Sequence, residues 1–379
     1  MSPPLHGVRV LDLTRLLPGP FATMILADLG AQVDKVEDPG GGDYLRFMPP
    51  QVDGMNAVFA GLNRGKRSLV LDLKRSEGRD ALLRLVPAYD VLIESFRPGV
   101  MDRLGLGREA LRAAHPGLVH CALTGYGQDG PLASRAGHDL DYLARAGVLG
   151  LTGPEGGPPQ VPGVQMADFG GGLYAVAGVL AALFGRARDG EGRFVDISMC
   201  EGAVSFATFG LVSHFAGAAG GPGQGALAGG IAPYRSYATK DGRAVALAAL
   251  EPKFWIAFCT GVGLEPDMQA LVPGPHQAAL VDRLTSIFAD RTLDEWVSFA
   301  EAQDCCLEPV LLPEELSEDP QHRARGVFDA EPAAFPRTPL GRSPRGPAPG
   351  HGEGGEAVLT DAGFDEEAIA ALREQGVLG

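Results

Sequence analysis

The chain has 379 residues, of which 45% are hydrophobic and 21% charged, a globular composition with apolar material for more than one core. Its formal net charge is −15, which argues against nucleic acid or an anionic membrane as the main partner, because both need a basic face. No basic segment leading into an apolar run opens the chain. Its most apolar stretch, Leu173 to Phe184, is shorter than the roughly 20 residues of a bilayer crossing, so a cytoplasmic protein off the membrane is expected.

In chain order, Val8 to Leu13 reads as a strand, Pro18-Gly19-Pro20 as a break, Phe21 to Leu29 as a helix closed by Gly30, and Ala31 to Glu37 as a second strand. The alternation continues with Ser68 to Leu73 (strand), Gly78 to Val86 (helix), Asp90 to Glu94 and Leu118 to Leu123 (strands), and an apolar helix over 171–184. Such alternation predicts an α/β fold, a parallel sheet with helices on its faces. The texture changes near residue 215. After a Gly/Ala-rich connection over 216–230 come a hairpin, Tyr234 to Thr239 and Arg243 to Leu250, turning at Asp241-Gly242, and three helical segments: Lys253 to Gly261, Gln277 to Phe288 and Thr292 to Ala302. We therefore expect a large domain over 1–190, a linker over 191–224 and a smaller α+β domain over 225–330. A Pro/Gly-rich strap from Pro336 to Gly355 and a helix from Asp365 to Gln375 follow.

Two short patterns mislead. Gly125-Tyr126-Gly127-Gln128-Asp129-Gly130 spells a dinucleotide fingerprint, but Pro131 follows where the fingerprint requires a helix. Asp168-Phe169-Gly170 spells a kinase motif without its companion loops. Five cysteines, an odd count without C-x-x-C spacing, indicate neither a disulfide framework nor a zinc ribbon, and no metal site is expected.

Two features carry chemistry. Asn63-Arg64-Gly65-Lys66-Arg67 packs three cations into four positions before a strand, and Arg97 follows another strand. In an acidic chain this local positive charge suits an anionic ligand such as nucleotide phosphates, although on charge alone a solvated strand-entry turn is the better explanation. The second feature is Gly137-His138-Asp139 together with Asp168 before Gly170-Gly171-Gly172. An aspartate at a helix start is expected to stay ionised, and free N–H groups there would stabilise an oxyanion. A plain N-cap accounts for Asp168 but not for three glycines, which imply close approach to the backbone. His138 is the natural acid/base near neutral pH, although a histidine followed by aspartate is often structural.

These stretches, with Leu5 to Leu13, Gly19-Pro20-Phe21, Leu26 to Ala31, Phe96-Arg97-Pro98-Gly99, Tyr126 to Pro131 and Val195 to Met199, resemble the family III CoA-transferase superfamily (CaiB/BaiF type). That superfamily includes formyl-CoA transferase, carnitine CoA-transferases and α-methylacyl-CoA racemase. The resemblance runs along essentially the whole chain. It implies a large doubly wound, Rossmann-like parallel-sheet domain built from both ends of the chain, so that 331–379 completes 1–190, together with a smaller α+β domain and an interlocked homodimer. It also implies an acyl-CoA thioester as substrate, with coenzyme A carried by that substrate and no prosthetic group.

Gly137-His138-Asp139-Leu140-Asp141-Tyr142 has the racemase form of the family motif, and Glu251 in Glu251-Pro252-Lys253-Phe254 matches a glutamate important in racemases. The resemblance thus implies His138, Asp168 and Glu251 as catalytic. It implies Asn63, Arg64, Lys66, Arg67, Arg97, Gly137 and Tyr142 as binding residues for the CoA thioester. The alternative is a CoA-transferase with Asp168 as nucleophile; a CoA-binding scaffold without activity is the reading from a third class. One departure stands out: Asp38 occupies the position before Pro39 where many members carry a base.

Overall fold

The computed structural model describes residues 2–52, 54–218, 220–328, 335–340 and 346–378. The expected Gly-rich connection and strap fall partly outside these residues, at 219 and 341–345, as does the 331–334 start of the completing segment. Six parallel strands form the main sheet: β1 (Arg9–Leu13), β2 (Gln32–Glu37), β3 (Arg67–Val70), β4 (Val91–Glu94), β5 (Val119–Thr124) and β6 (Phe194–Ser198). Their spatial order is β3-β2-β1-β4-β5-β6, the doubly wound arrangement in which strand order reverses between β1 and β4. β1, β4 and β5 are short apolar runs buried almost end to end, as helices on both faces require. β6 falls in the segment expected to be a linker. It is an edge strand, only partly buried, so it lacks the continuous apolar run that marks its neighbours.

Two helices begin at the sheet edge where the strands end. α1 (Pro18–Asp28) follows β1, and α2 (Met166–Asp189) returns the chain to β6. Proline at the start of α1 suits a position whose N–H has no helical acceptor. α2 begins five residues before the expected start, so Gly170, Gly171 and Gly172 lie inside it. A Cβ on Gly172 would stand 2.8 Å from the Pro18 carbonyl oxygen, and one on Gly171 2.5 Å from Met199. Gly172 therefore lets the two helix starts pack backbone to backbone, and Gly171 makes room for Met199. At 24 residues α2 is long and apolar enough for a membrane crossing, and half of its most apolar stretch is buried inside the protein. Its outer face leaves Leu173, Tyr174 and Phe184 exposed, Phe184 at 69%.

Under this edge lies a buried polar network. Lys66 Nζ donates to Asp12 Oδ2 (3.1 Å), Thr23 Oγ1 (2.7 Å), Asn63 Oδ1 (2.9 Å) and the Pro20 carbonyl (3.2 Å). Burial works against the Lys66 ammonium and lowers its pKa to about 8. Burial also disfavours the Asp12 carboxylate, but Lys66, Lys35 and the Thr14 and Thr23 hydroxyls outweigh it and hold Asp12 well below the usual range. The expected basic patch is thus turned inward. Arg64 pairs with Asp28 (2.7 Å) and Arg67 with Asp34 (2.7 Å), while the Asn63 amide donates to the Phe59 carbonyl (3.1 Å).

The chain divides into two compact units. The larger comprises 1–143, 165–203 and 320–379; the smaller comprises 144–164 and 204–319. Sequence texture missed the excursion of 144–164, which is short and rich in Gly and Pro. The C-terminal segment packs into the larger core through Val358, Leu359, Ile369, Leu372 and Val377. In the smaller unit the antiparallel strands β7 (Tyr234–Ala238), β8 (Ala244–Ala248) and β9 (Leu307–Pro309) carry an aromatic core of Tyr237, Trp255, Phe258, Phe288 and Trp296.

Candidate active site

The strand ends of β1, β4 and β5 and the start of α2 meet at one edge of the large sheet, where open α/β folds bind ligands. Past β5 the chain reaches α3 (the seven-residue helix Asp139–Arg145, before α2 in sequence) through a segment shaped by Tyr142. The Tyr142 ring fills the space that side chains at Gly125 and Gly137 would need, and its hydroxyl donates to the Gly137 carbonyl at 2.5 Å. The Tyr126 ring meets it edge-on, centroids 5.2 Å apart. Gly137 and Tyr142, expected to bind the cofactor part of the substrate, thus hold the loop carrying His138. The Tyr142 hydroxyl is spent on that loop.

His138 is exposed at the head of α3. Its N–H donates to Asp141 Oδ2 (3.0 Å), and its carbonyl accepts from the N–H groups of Asp141 (2.9 Å) and Tyr142 (3.2 Å). The next residue, Asp139, reaches α2: its Oδ1 accepts the N–H of Ala167 (2.7 Å) and of Asp168 (3.1 Å). One peptide bond and one hydrogen bond therefore join the backbones of His138 and Asp168. The expected oxyanion donors are corrected by the same contacts. The Ala167 and Asp168 N–H groups serve Asp139, the Phe169 N–H bonds the Gln165 carbonyl, and the glycines lie within the helix.

Asp168 also departs from expectation in its charge. Burial, and then the charge of Asp139, push its carboxyl up to about 7 instead of leaving it firmly ionised. A group poised near neutrality can both take and return a proton. Asp139→Asn keeps an oxygen to accept the two N–H groups but removes the negative charge. The ionised form of Asp168 then costs less, so its pKa falls while burial keeps it above an ordinary aspartate. A pH–rate profile should show the limb assigned to Asp168 moving to lower pH; a limb that stays put or moves up would contradict this coupling.

Arg97 is exposed on the turn after β4, and its charge is felt by Tyr142. Glu94, the last residue of β4, was not anticipated. Burial, followed by the charges of Asp196 and Asp102, pushes its carboxyl up to about 7, against the favourable Phe96 N–H that donates to it at 2.7 Å. A carboxylate ending the apolar run Val91-Leu92-Ile93 was the available signal. Asp139 was visible only as a neighbour of His138. Glu251 belongs to the smaller unit, where it is exposed and precedes the helix Pro252–Val262; its carbonyl accepts from Trp255 N–H and its carboxylate makes no capping bond. Among the described residues no group of three or more His, Cys, Asp or Glu could hold a metal.

The CoA-transferase family III model matches residues 5–347. The chain belongs to this family. Alpha-methylacyl-CoA racemase of Mus musculus is 38% identical over 387 residues, covering 99% of this chain and 97% of the relative. Succinyl-CoA:glutarate CoA-transferase of the same species is 33% identical, covering 99% and 90%. A crystal structure of a CAIB/BAIF family protein from Brucella suis superposes with a TM-score of 0.83 at 31% identity, covering 96% of this chain and all of the other. This family III chain shares its architecture with a CaiB/BaiF fold, and its relatives include both a racemase and a transferase.

Proposed function

We propose that this family III enzyme is a racemase of 2-methylacyl-CoA thioesters, working by 1,1-proton transfer between His138 and Asp168. The observation that carries the reading is the Asp168 carboxyl, pushed up to about 7 by burial, with its backbone N–H bonded to the carboxylate of Asp139, the chain neighbour of His138. One residue removes the α-proton from one face and the other returns a proton to the opposite face. Two bases are needed because a single base tends to restore the original configuration. The thioester carbonyl spreads the developing charge. Of the seven residues expected to bind CoA, Arg97 is the exposed cation at the sheet edge and is assigned to the anionic part of the substrate. The role of Glu251 rests on the resemblance alone. The chemistry needs no resident prosthetic group.

The exposed apolar stripe on α2 supports a homodimer, and five free cysteines suit a cytoplasmic location. In heavy water the enzyme should introduce deuterium at the α-carbon of a chiral 2-methylacyl-CoA, and His138→Ala should lower that exchange by about 100-fold or more. Retention of both hydrogen and configuration across several such thioesters would sink the racemase. The transferase reading is kept alive by the transferase relatives. It requires a hydroxylamine-trappable aspartyl adduct on Asp168 and CoA exchange with a free acid.

A further inference from the structure

The turn from β1 into α1 lies where the strand order reverses, and it is held more firmly than a connection requires. The Thr14 N–H and hydroxyl donate to Asp12 Oδ1 at 2.9 and 2.5 Å. Lys35 Nζ donates to the Thr14 carbonyl at 2.7 Å and pairs with Asp43 at 3.1 Å. Asp43 in turn accepts the Leu16 N–H through both oxygens, at 3.0 and 3.2 Å. Lys35 and Asp43 are buried, and between them they hold Leu16 at a φ of +63°, a left-handed conformation that a leucine adopts only under constraint.

This clamped turn presents Arg15. The residue is half-buried and its guanidinium end is open to solvent, 5.2 Å from the centre of the Tyr44 ring and 5.9 Å from that of Phe96, donating to the Tyr44 hydroxyl at 3.0 Å. Among the described residues no carboxylate stands within ion-pair distance of it. Nearby Arg46, Arg64 and Arg67 each face one: Glu37 at 2.6 Å, Asp28 at 2.7 Å and Asp34 at 2.7 Å. Arg97, next in sequence to Phe96, likewise has no carboxylate partner among the described residues. In a chain of net charge −15, a guanidinium without a carboxylate partner, set against two aromatic rings by a clamped turn at the switch point, is placed to receive an anion.

We propose that Arg15 binds an oxyanion of the acyl-CoA substrate, either a carboxylate on the acyl chain or a phosphate of CoA, with Tyr44 and Phe96 as its apolar walls. The proposal rests on the acyl-CoA reading above. Arg15→Gln should raise KM about tenfold or more with kcat little changed, and Arg15→Lys should recover part of the loss. If a phosphate is bound, free CoA and all thioesters weaken together in calorimetric titration. If an acyl carboxylate is bound, only a 2-methyl dicarboxylic acyl-CoA weakens, while free CoA and a neutral 2-methylacyl-CoA bind as before. Changes below twofold for all three ligands overturn the site. A wild-type protein that binds no CoA would instead fail the acyl-CoA reading. In that case pyrophosphate and glutarate decide the site: a thermal stabilisation lost in Arg15→Gln supports it, and one equal in both proteins, or absent from both, overturns it.

Discussion

Asp168→Asn is expected to lower α-proton exchange by about 1000-fold, roughly 4 kcal/mol of barrier, while leaving CoA binding and the fold in place. The substitution keeps size and hydrogen-bonding shape and removes only the capacity to take and return a proton. Its effect on stability should run the other way. The native state holds a proton on Asp168 up to about pH 7, above the value of 3.8 for an unhindered aspartate. Between those limits the folded state binds more protons than the unfolded one, so stability falls as pH rises. Above pH 7 the native enzyme bears the cost of a half-buried carboxylate beside Asp139. Asp168→Asn removes that cost and should melt at a higher temperature than wild type at pH 8, with the gap closing towards pH 4. Loss of exchange with retained or raised stability places Asp168 in the chemistry. A loss below tenfold would remove it from that role, and a lowered melting temperature at pH 8 would contradict the charge assignment.

Asp12→Ala is expected to destabilise the larger unit by about 3–5 kcal/mol. The Lys66 ammonium is buried with four acceptors, and Asp12 is the only one of them with a formal charge. Without it, a cation remains out of water with neutral partners, and the Thr14 and Thr23 hydroxyls lose an acceptor as well. Both pKa values fall, which favours the charged form of Asp12 but disfavours that of Lys66, so the pair offsets its own burial more than it adds net stability. Replacing both residues by apolar ones of similar size should therefore cost less than the sum of the single changes. Urea unfolding followed by circular dichroism measures all three variants. A cost for Asp12→Ala near that of an exposed substitution, below about 0.5 kcal/mol, would show the network to be dispensable.

Local pattern was enough wherever a segment's role depends on its own residues. The apolar runs of β1, β4 and β5 and the alternation with helices announce a parallel sheet, because strands buried on both faces must be apolar throughout. The hairpin at Asp241-Gly242 follows from turn chemistry, and the motif around His138 and Asp168 pointed to one site. What sequence spacing does not carry is where a charge goes. Asn63 to Arg67 has the composition of a phosphate-binding turn, yet Asp12, Asp28 and Asp34, tens of residues earlier, take its cations inward. Three glycines signalled close approach to a backbone, but only packing shows that Gly172 meets the start of α1 and Gly171 meets Met199.

The edge strand β6 and the Gly/Pro-rich excursion of 144–164 escaped notice because half-buried and turn-rich segments carry weak periodicity. The protonation of Asp168 is decided entirely by tertiary structure. A helix start favours the carboxylate, but burial and an aspartate 29 residues away in sequence outweigh that preference, and these depend on which surfaces meet. The sequence by itself determined the centre of the sheet, the family and the nearness of the His138 and Asp168 segments. The folded chain decided which of them face the ligand edge and which charges they hold there, because desolvation and pairing are properties of neighbours in space.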